Sequence, residues 1–385
     1  MTTTYDVIVI GLGVMGTAAA YHLSTAGKRV LGLEQFDIDH NKGSSHGESR
    51  IIRYAYSHPI YIEMARESFS LWRALEQASG KRLMFRTGGF DFGPTDSESL
   101  QLTRASLEAA HIPYEWLGPD EANRRFPQFR LSPGMAALYQ ADAAYLAASS
   151  CVLAMAELAH VQGADIVPNT PALEIEPING LVRVHTPARM YEAPYCIITA
   201  GPWAGKVLGQ MGHRLPVQPT REQIVFLDPL NPDLYNPDQC PIFIYHGVGA
   251  QRWFYGLPNV QGTGVKVGIH GNNDAVDPDN VRREGDQAYV HTVREWVEKY
   301  LPYANGPVKE VRTCLYTMTP DEHFIIDHLP DHPNIVYGAG FSGHGFKFGI
   351  LIGKMLAEMA TMGQTPYDRS LFRADRFQSS LKATS

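Results

Sequence analysis

The stretch from Val7 to Glu34 constrains this 385-residue chain more than any other. Val7-Ile8-Val9-Ile10 is a short β-branched apolar run, the composition of a strand buried on both faces. It leads into Gly11-Leu12-Gly13-Val14-Met15-Gly16, which matches G-x-G-x-x-G. Gly11 permits the tight turn, Gly13 lets the backbone approach a pyrophosphate, and Gly16 allows close helix–strand packing. Thr17 to Ala26 is an Ala-rich helix former, and Gly27 stands where a left-handed C-terminal residue belongs. Val30-Leu31-Gly32-Leu33 reads as the next strand. It is closed by Glu34, at the spacing from which a carboxylate reaches a ribose hydroxyl. The N-terminus of the helix would offer free N–H groups and partial positive charge to phosphates. Strand, turn, helix, strand and acid in register point to a dinucleotide site, which the glycines alone would not.

Composition narrows the rest. A chain of this length buries a sizeable core, and two domains fit it better than one. With 44% hydrophobic and 19% charged residues it reads as globular, and a net charge of −7 gives no footprint for nucleic acid or an anionic membrane. The four cysteines, Cys151, Cys196, Cys240 and Cys314, are widely spaced without a C-x-x-C pair. Neither a disulfide framework nor a metal site is expected, and a reducing compartment is. The opening Met-Thr-Thr-Thr-Tyr-Asp lacks a basic region, and no apolar run reaches membrane-spanning length, so the expected location is cytoplasmic.

Residues 36–48 are rich in Gly, Ser and His, a loop placed directly after the ribose-binding strand. Ser49-Arg50-Ile51-Ile52-Arg53 follows, and on a helical turn its two arginines would share a face. Ile60–Ser79 is expected as a helix stopped by Gly80, and Phe85–Gly93 as a strand or hairpin through Gly88-Gly89. Thr95 and Glu98 suggest a capping box for a helix to Ala110, and Ala147–Val161 a further helix. Short strands are expected around Asp165–Val167 and Leu181–His185. Tyr195–Ala200, stopped by Gly201-Pro202-Trp203, reads as a buried strand returning to the nucleotide-binding sheet.

After Pro216 the texture changes. Gln223–Leu227, Pro241–Tyr245, Trp253–Gly256, Val265–Ile269 and Val308–Thr317 read as strands and Asp279–Leu301 as a charged helix. This suggests an antiparallel sheet with one face open to a ligand. Phe324–Asp327 and Ile335–Gly340 restore the buried-strand pattern, ahead of a helix through Met362. The expected fold class is α/β (α+β overall). A Rossmann-like domain draws on residues 1–84, 145–215 and 320–385, and a second domain on 85–144 and 216–319.

Four segments taken together resemble the monomeric sarcosine oxidase and N-methyltryptophan oxidase family. They are the glycine fingerprint, Gly43-Ser44-Ser45-His46-Gly47-Glu48-Ser49-Arg50-Ile51-Ile52-Arg53, Asp321-Glu322-His323-Phe324-Ile325-Ile326-Asp327, and Gly340-Phe341-Ser342-Gly343-His344-Gly345-Phe346-Lys347-Phe348. The resemblance spans essentially the whole chain. It implies FAD, bound at Gly11, Gly13, Gly16, Glu34, Ser44, Ser49, Arg50, Gly343, Gly345 and Lys347, and attached covalently through its 8α-methyl to Cys314. Taken alone, Cys314 would read as a buried structural thiol, and attack on the flavin requires the thiolate.

Lys266 matches the family lysine beside the flavin ring, a cation that stabilises charge developing on O2. Its alternation with Val265 and Val267 puts it on the opposite strand face, and His270 falls on its own face. The resemblance implies that His270 lies near the substrate amine. Arg50 matches an arginine close to the ring, and Tyr255 a pocket tyrosine. Arg53 and Lys347 match the pair that binds the substrate carboxylate, a bidentate fork and a point charge. The glycine turn of residues 340–345 implies backbone N–H groups that steady negative charge on the reduced ring.

Two features depart from the family pattern. Ser49 stands in place of the usual threonine, and the Tyr245–Arg252 connection matches the sarcosine enzymes in neither sequence nor length.

The implied activity is FAD-dependent oxidation of a secondary amino acid, N-methylated or cyclic, such as sarcosine. The products are an imine, which hydrolyses, and H2O2 from O2. The implied enzyme is a monomer whose partners are a small amino-acid amine and O2, with no nucleic acid or membrane. Two rivals are an NAD-dependent β-hydroxyacid dehydrogenase, whose second domain is largely helical, and a flavin-binding protein without amine turnover.

Overall fold

The computed structural model describes residues 5–249, 252–271 and 274–377. Its first sheet has six strands in the order Ile325–Leu329, His332–Ala339, Tyr195–Ile198, Val7–Ile10, Val30–Leu33, Asp165–Val167. All neighbours run parallel except the first pair, an antiparallel hairpin at the edge. The fingerprint strand therefore sits centrally and is buried on both faces, as the unbroken apolar run requires. The helix Val14–Thr25 follows it and packs on Ala148–Val161 and Gly349–Met362 over one apolar core.

The turn between strand and helix is tight enough to specify its residues. Gly11 has φ +86°, and a Cβ on Gly16 would stand 1.9 Å from the Gly11 carbonyl oxygen and 2.7 Å from Thr199 Oγ1. Only a bare Cα lets the helix begin this close to the strand end.

The second large sheet has nine strands. Its path runs Asp274–Ala275, Gln218–Leu227, Val265–His270, Trp253–Leu257, Ile242–Tyr245, Gly89–Pro94, Met135–Gln140, Glu115–Leu117, with Val308–Met318 paired to Gln218–Leu227. One face packs on the helix Gln287–Tyr300 through Val293, Trp296 and Val297, leaving the other for the cavity described below. Two three-stranded sheets complete the strands among the described residues.

Several local expectations are corrected. The nine-stranded sheet is antiparallel except where Ile242–Tyr245 runs parallel to Gly89–Phe92. Met84–Arg86 and Gly89–Pro94 are separate strands in different sheets rather than a hairpin. The helix expected from Thr95 begins at Glu98 with Ser97 at its N-cap, because Thr95 Oγ1 donates instead to Gly134 O at 3.1 Å. The helix expected from Asp279 begins at Gln287, where Asp286 accepts from Ala288 N. Arg50 lies on a strand, Arg50–Ile52, so the arginines do not share a helical face.

Gly16→Ala should lower stability by about 1–3 kcal/mol, the range for overpacking a site whose neighbours are backbone. Urea unfolding checks this, and an unchanged midpoint would show that the turn relaxes freely.

Candidate active site and cofactor cavity

Between the two large sheets lies a continuous cavity of about 660 Å³. At one end it is lined by the glycine turn, Glu34 and Ser45; Lys266, Tyr255, Cys314, Arg53 and Lys347 line it elsewhere. Sites expected from segments far apart in sequence therefore share one space. Ser44, Ser49, Arg50, His270, Gly343 and Gly345 line it as well. Gly16 does not; it holds the turn from behind.

Glu34 is buried and accepts from Leu12 N at 2.7 Å and Phe36 N at 3.1 Å. Burial pushes its carboxyl pKa up, and these backbone donors oppose that rise. Val14 N, at the helix start, donates to Ser45 Oγ at 3.0 Å, and Ser44 Oγ donates to Leu315 O at 2.5 Å. The Gly-Ser-His loop is thus pinned to both the helix and the strand carrying Cys314. Arg50 braces it further, donating to the carbonyls of Ser44, His46 and Ser49.

Lys266 is 4% exposed, and Nζ donates to Ser49 O at 2.9 Å. Val265 and Val267 face the core, so the expected alternation holds with both strand faces buried. Burial pushes the Lys266 ammonium pKa down to about 7, and the Arg50 charge adds to the shift. Burial likewise raises the Cys314 thiol, against the pull of Arg50 and Lys266. Tyr255 is hydrogen-bonded to Tyr316, and burial raises the pKa of both. His270 is pushed down to about 4 by enclosure and by the charges of Lys347 and Arg53.

Arg53, 8% exposed, donates from Nη1 to Asp91 Oδ1 at 3.0 Å. His246 Nε2 contacts the same oxygen at 2.9 Å, and its Nδ1 contacts Ser99 Oγ at 2.8 Å. Burial opposes ionisation of Asp91, but Arg53 and His246 outweigh it and hold the carboxyl below its usual value. Lys347 Nζ donates to Tyr56 Oη at 2.7 Å and His344 O at 2.9 Å. Burial, then Arg53, pushes its pKa well down. In the Gly340–Gly345 turn, Ser342 N and His344 N are engaged by Thr317 O and Phe341 O, so those two do not face a ligand.

Sequence reasoning did not find Asp91, His246 or Tyr56. His246 lies in the atypical connection after Tyr245, of which Ala250 and Gln251 fall outside the described residues. Asp91 carried a readable signal, a charge inside the apolar strand Gly89–Pro94. Tyr56 had none beyond following Arg53.

Residues 6–359 match the FAD dependent oxidoreductase family. The chain belongs to that family. It is 34% identical to the monomeric sarcosine oxidase of Bacillus sp. (strain NS-129) over 98% of both chains. It is 36% identical to the peroxisomal sarcosine oxidase of Homo sapiens, again over 98% of each. Among solved structures, NikD, an unusual amino acid oxidase essential for nikkomycin biosynthesis, aligns with a TM-score of 0.85 at 26% identity, over 97% of this chain and 98% of that one. As an FAD-dependent oxidoreductase with a nine-stranded second sheet, the protein departs from the largely helical second domain of the dehydrogenase rival. The four cysteines are free and buried, and no helix among the described residues is long and apolar enough to cross a membrane.

The depressed Lys266 has a signed consequence. Between pH 7 and 10.5 the unfolded chain keeps this proton while the folded protein sheds it, so stability rises with pH through that window. Flavin-free protein should gain more stability from pH 7 to pH 9, by urea unfolding, than its Lys266→Met variant. Equal pH dependence in the two would contradict a depressed Lys266.

Proposed function

We propose that the protein is an oxidase of secondary amino acids, N-methylated or cyclic, with sarcosine-like amines its first substrates. One observation carries this: Arg53 and Lys347, two buried cations from distant segments, line the same cavity as Lys266 and Cys314. Two cations around one space suit a carboxylate. The sarcosine oxidase relatives support the choice of amine.

The residues present fit FAD. A Cβ on Gly13 would intrude to 3.0 Å of Ser45 Oγ in the cradle at the helix start, where backbone N–H groups suit a pyrophosphate. Glu34 suits the ribose, and Gly11, Ser44, Ser49, Arg50, Gly343 and Gly345 would hold the remainder. Bound FAD would supply the redox chemistry, oxidation of the C–H bond beside the amine with O2 as final acceptor and H2O2 as product. Arg53 and Lys347 orient the carboxylate. A neutral His270 accepts a hydrogen bond from the substrate nitrogen instead of repelling it, and Tyr255 borders the same space. Lys266, in its protonated form, would place positive charge where O2 is reduced.

Cys314 would hold the flavin through a thioether to its 8α carbon, formed with loss of the thiol proton and one methyl hydrogen while two electrons pass to O2. Arg50 and Lys266 favour the thiolate against burial. By likeness to the monomeric relatives the enzyme acts as a monomer, and its cysteine usage supports the cytoplasm.

The deciding experiment mixes purified protein, under argon, with sarcosine, N-methyl-L-alanine, L-proline, L-pipecolate and N-methyl-L-tryptophan, each beside its decarboxylated counterpart. The acids should bleach the flavin. Arg53→Ala or Lys347→Ala should raise KM about ten- to a hundredfold, the loss of a buried charge-assisted contact of roughly 1.5–3 kcal/mol. Equal turnover of decarboxylated amines, with KM unmoved in Arg53→Ala, would end the carboxylate reading. Separately, denatured protein should keep flavin fluorescence in its gel band, and Cys314→Ala should lose it. Flavin that washes out of the wild type with acid would refute the covalent bond.

A further inference from the structure

Arg53 and Lys347 reach the cavity from opposite ends of the chain, and neither segment fixes where the other's charge lies. One side chain touches both. The Arg53 guanidinium carbon is 4.9 Å from the centre of the Tyr56 ring, and Lys347 Nζ, 5.3 Å from that centre, donates to the Tyr56 hydroxyl at 2.7 Å. The Tyr56 ring is itself held, with Tyr61 at 5.0 Å and Phe348 at 5.6 Å between ring centres. An aromatic face and a hydroxyl lone pair both present negative charge to a cation, which eases the repulsion between two ammonium-type groups in one wall.

The direction of the hydrogen bonds agrees. The Tyr56 hydroxyl lies 3.4 Å from His344 Nδ1, and His344 Nε2 lies 3.1 Å from the Glu322 carbonyl oxygen. A carbonyl only accepts, so Nε2 carries the proton and Nδ1 accepts from Tyr56. That turns the Tyr56 proton toward His344 and leaves its lone pair for Lys347. With His344 O taking a second Lys347 donor, two of the three ammonium hydrogens are placed. Asp91 holds Arg53 from another side, at Nη1.

We propose that Tyr56 is the positioning residue of the carboxylate subsite, its ring setting the Arg53 fork and its hydroxyl setting the Lys347 ammonium. This rests on the reading that those two cations take the substrate carboxylate.

Tyr56→Phe keeps the ring and deletes the acceptor; Tyr56→Leu deletes both. The probe is acetate, titrated into flavin-loaded protein and followed by the perturbation of the flavin spectrum, so no turnover is needed. Tyr56→Phe should raise the acetate Kd about tenfold, one hydrogen bond to a charged group. Tyr56→Leu should raise it several-fold further, as loss of the ring face under Arg53 implies. In a Lys347→Met background, Tyr56→Phe should change Kd less than about twofold, since its partner is already gone. For sarcosine, KM should rise more than kcat falls. A purely structural tyrosine predicts a lower unfolding midpoint with acetate Kd unmoved, and that result overturns the proposal. So does an undiminished Tyr56→Phe effect in the Lys347→Met protein. A wild-type protein that ignores acetate and every N-methyl acid overturns the carboxylate reading itself, a different failure.

Discussion

Keeping positive charge out of water is the constraint on which this structure depends. Arg53, Lys266 and Lys347 are each less than a tenth exposed, and an unpaired buried ion costs several kcal/mol after relaxation. The protein meets that cost unevenly. Arg53 has a full anion, Asp91, itself steadied by His246. Lys266 and Lys347 rest on neutral oxygens, the Ser49 carbonyl, the Tyr56 hydroxyl and the His344 carbonyl. Neutral acceptors satisfy hydrogen bonds without cancelling charge, so the field of each lysine, while protonated, reaches into the cavity. The depressed pKa values of both are the thermodynamic record of that arrangement.

Holding such groups requires walls from both large sheets. The Gly-Ser-His loop illustrates how they are joined. It leaves the strand Val30–Leu33 and donates through Ser44 to the strand of Cys314, while Ser49 accepts from Lys266 on the strand Val265–His270. The loop is the seam between the sheets, and its carbonyls are anchored by Arg50. Arg50 thereby acts as scaffold here as well as lining the cavity.

What the sequence made legible follows from how far each signal reaches. The Val7–Glu34 unit was readable because its strand, glycines and helix specify one another within thirty residues. The alternation around Lys266 was readable because a period of two needs no knowledge of neighbours. Helix starts were misplaced where competing side chains decided them. Thr95 chose the Gly134 carbonyl, and Asp286 capped a helix that charge alone would begin earlier. The Arg50–Arg53 spacing misled because three residues mean one face on a helix and opposite faces on a strand. Asp91, His246 and Tyr56 owe their importance to partners 38, 155 and 291 positions away. A charge inside an apolar strand marks Asp91 as paired, but no local pattern names the partners of any of the three.

The six-stranded sheet has a consequence for how the protein comes into being. The glycine turn of residues 11–16 lies within the first twenty residues, but the strand beside Val7–Ile10 is Tyr195–Ile198, and the next is His332–Ala339. A chain emerging from the ribosome therefore carries this turn long before it has the sheet to support it. Loop closures of this length slow folding and leave strand edges unpaired meanwhile. The central sheet can close only after synthesis has passed Ala339, and the part of the cavity wall that Lys347 supplies forms no earlier.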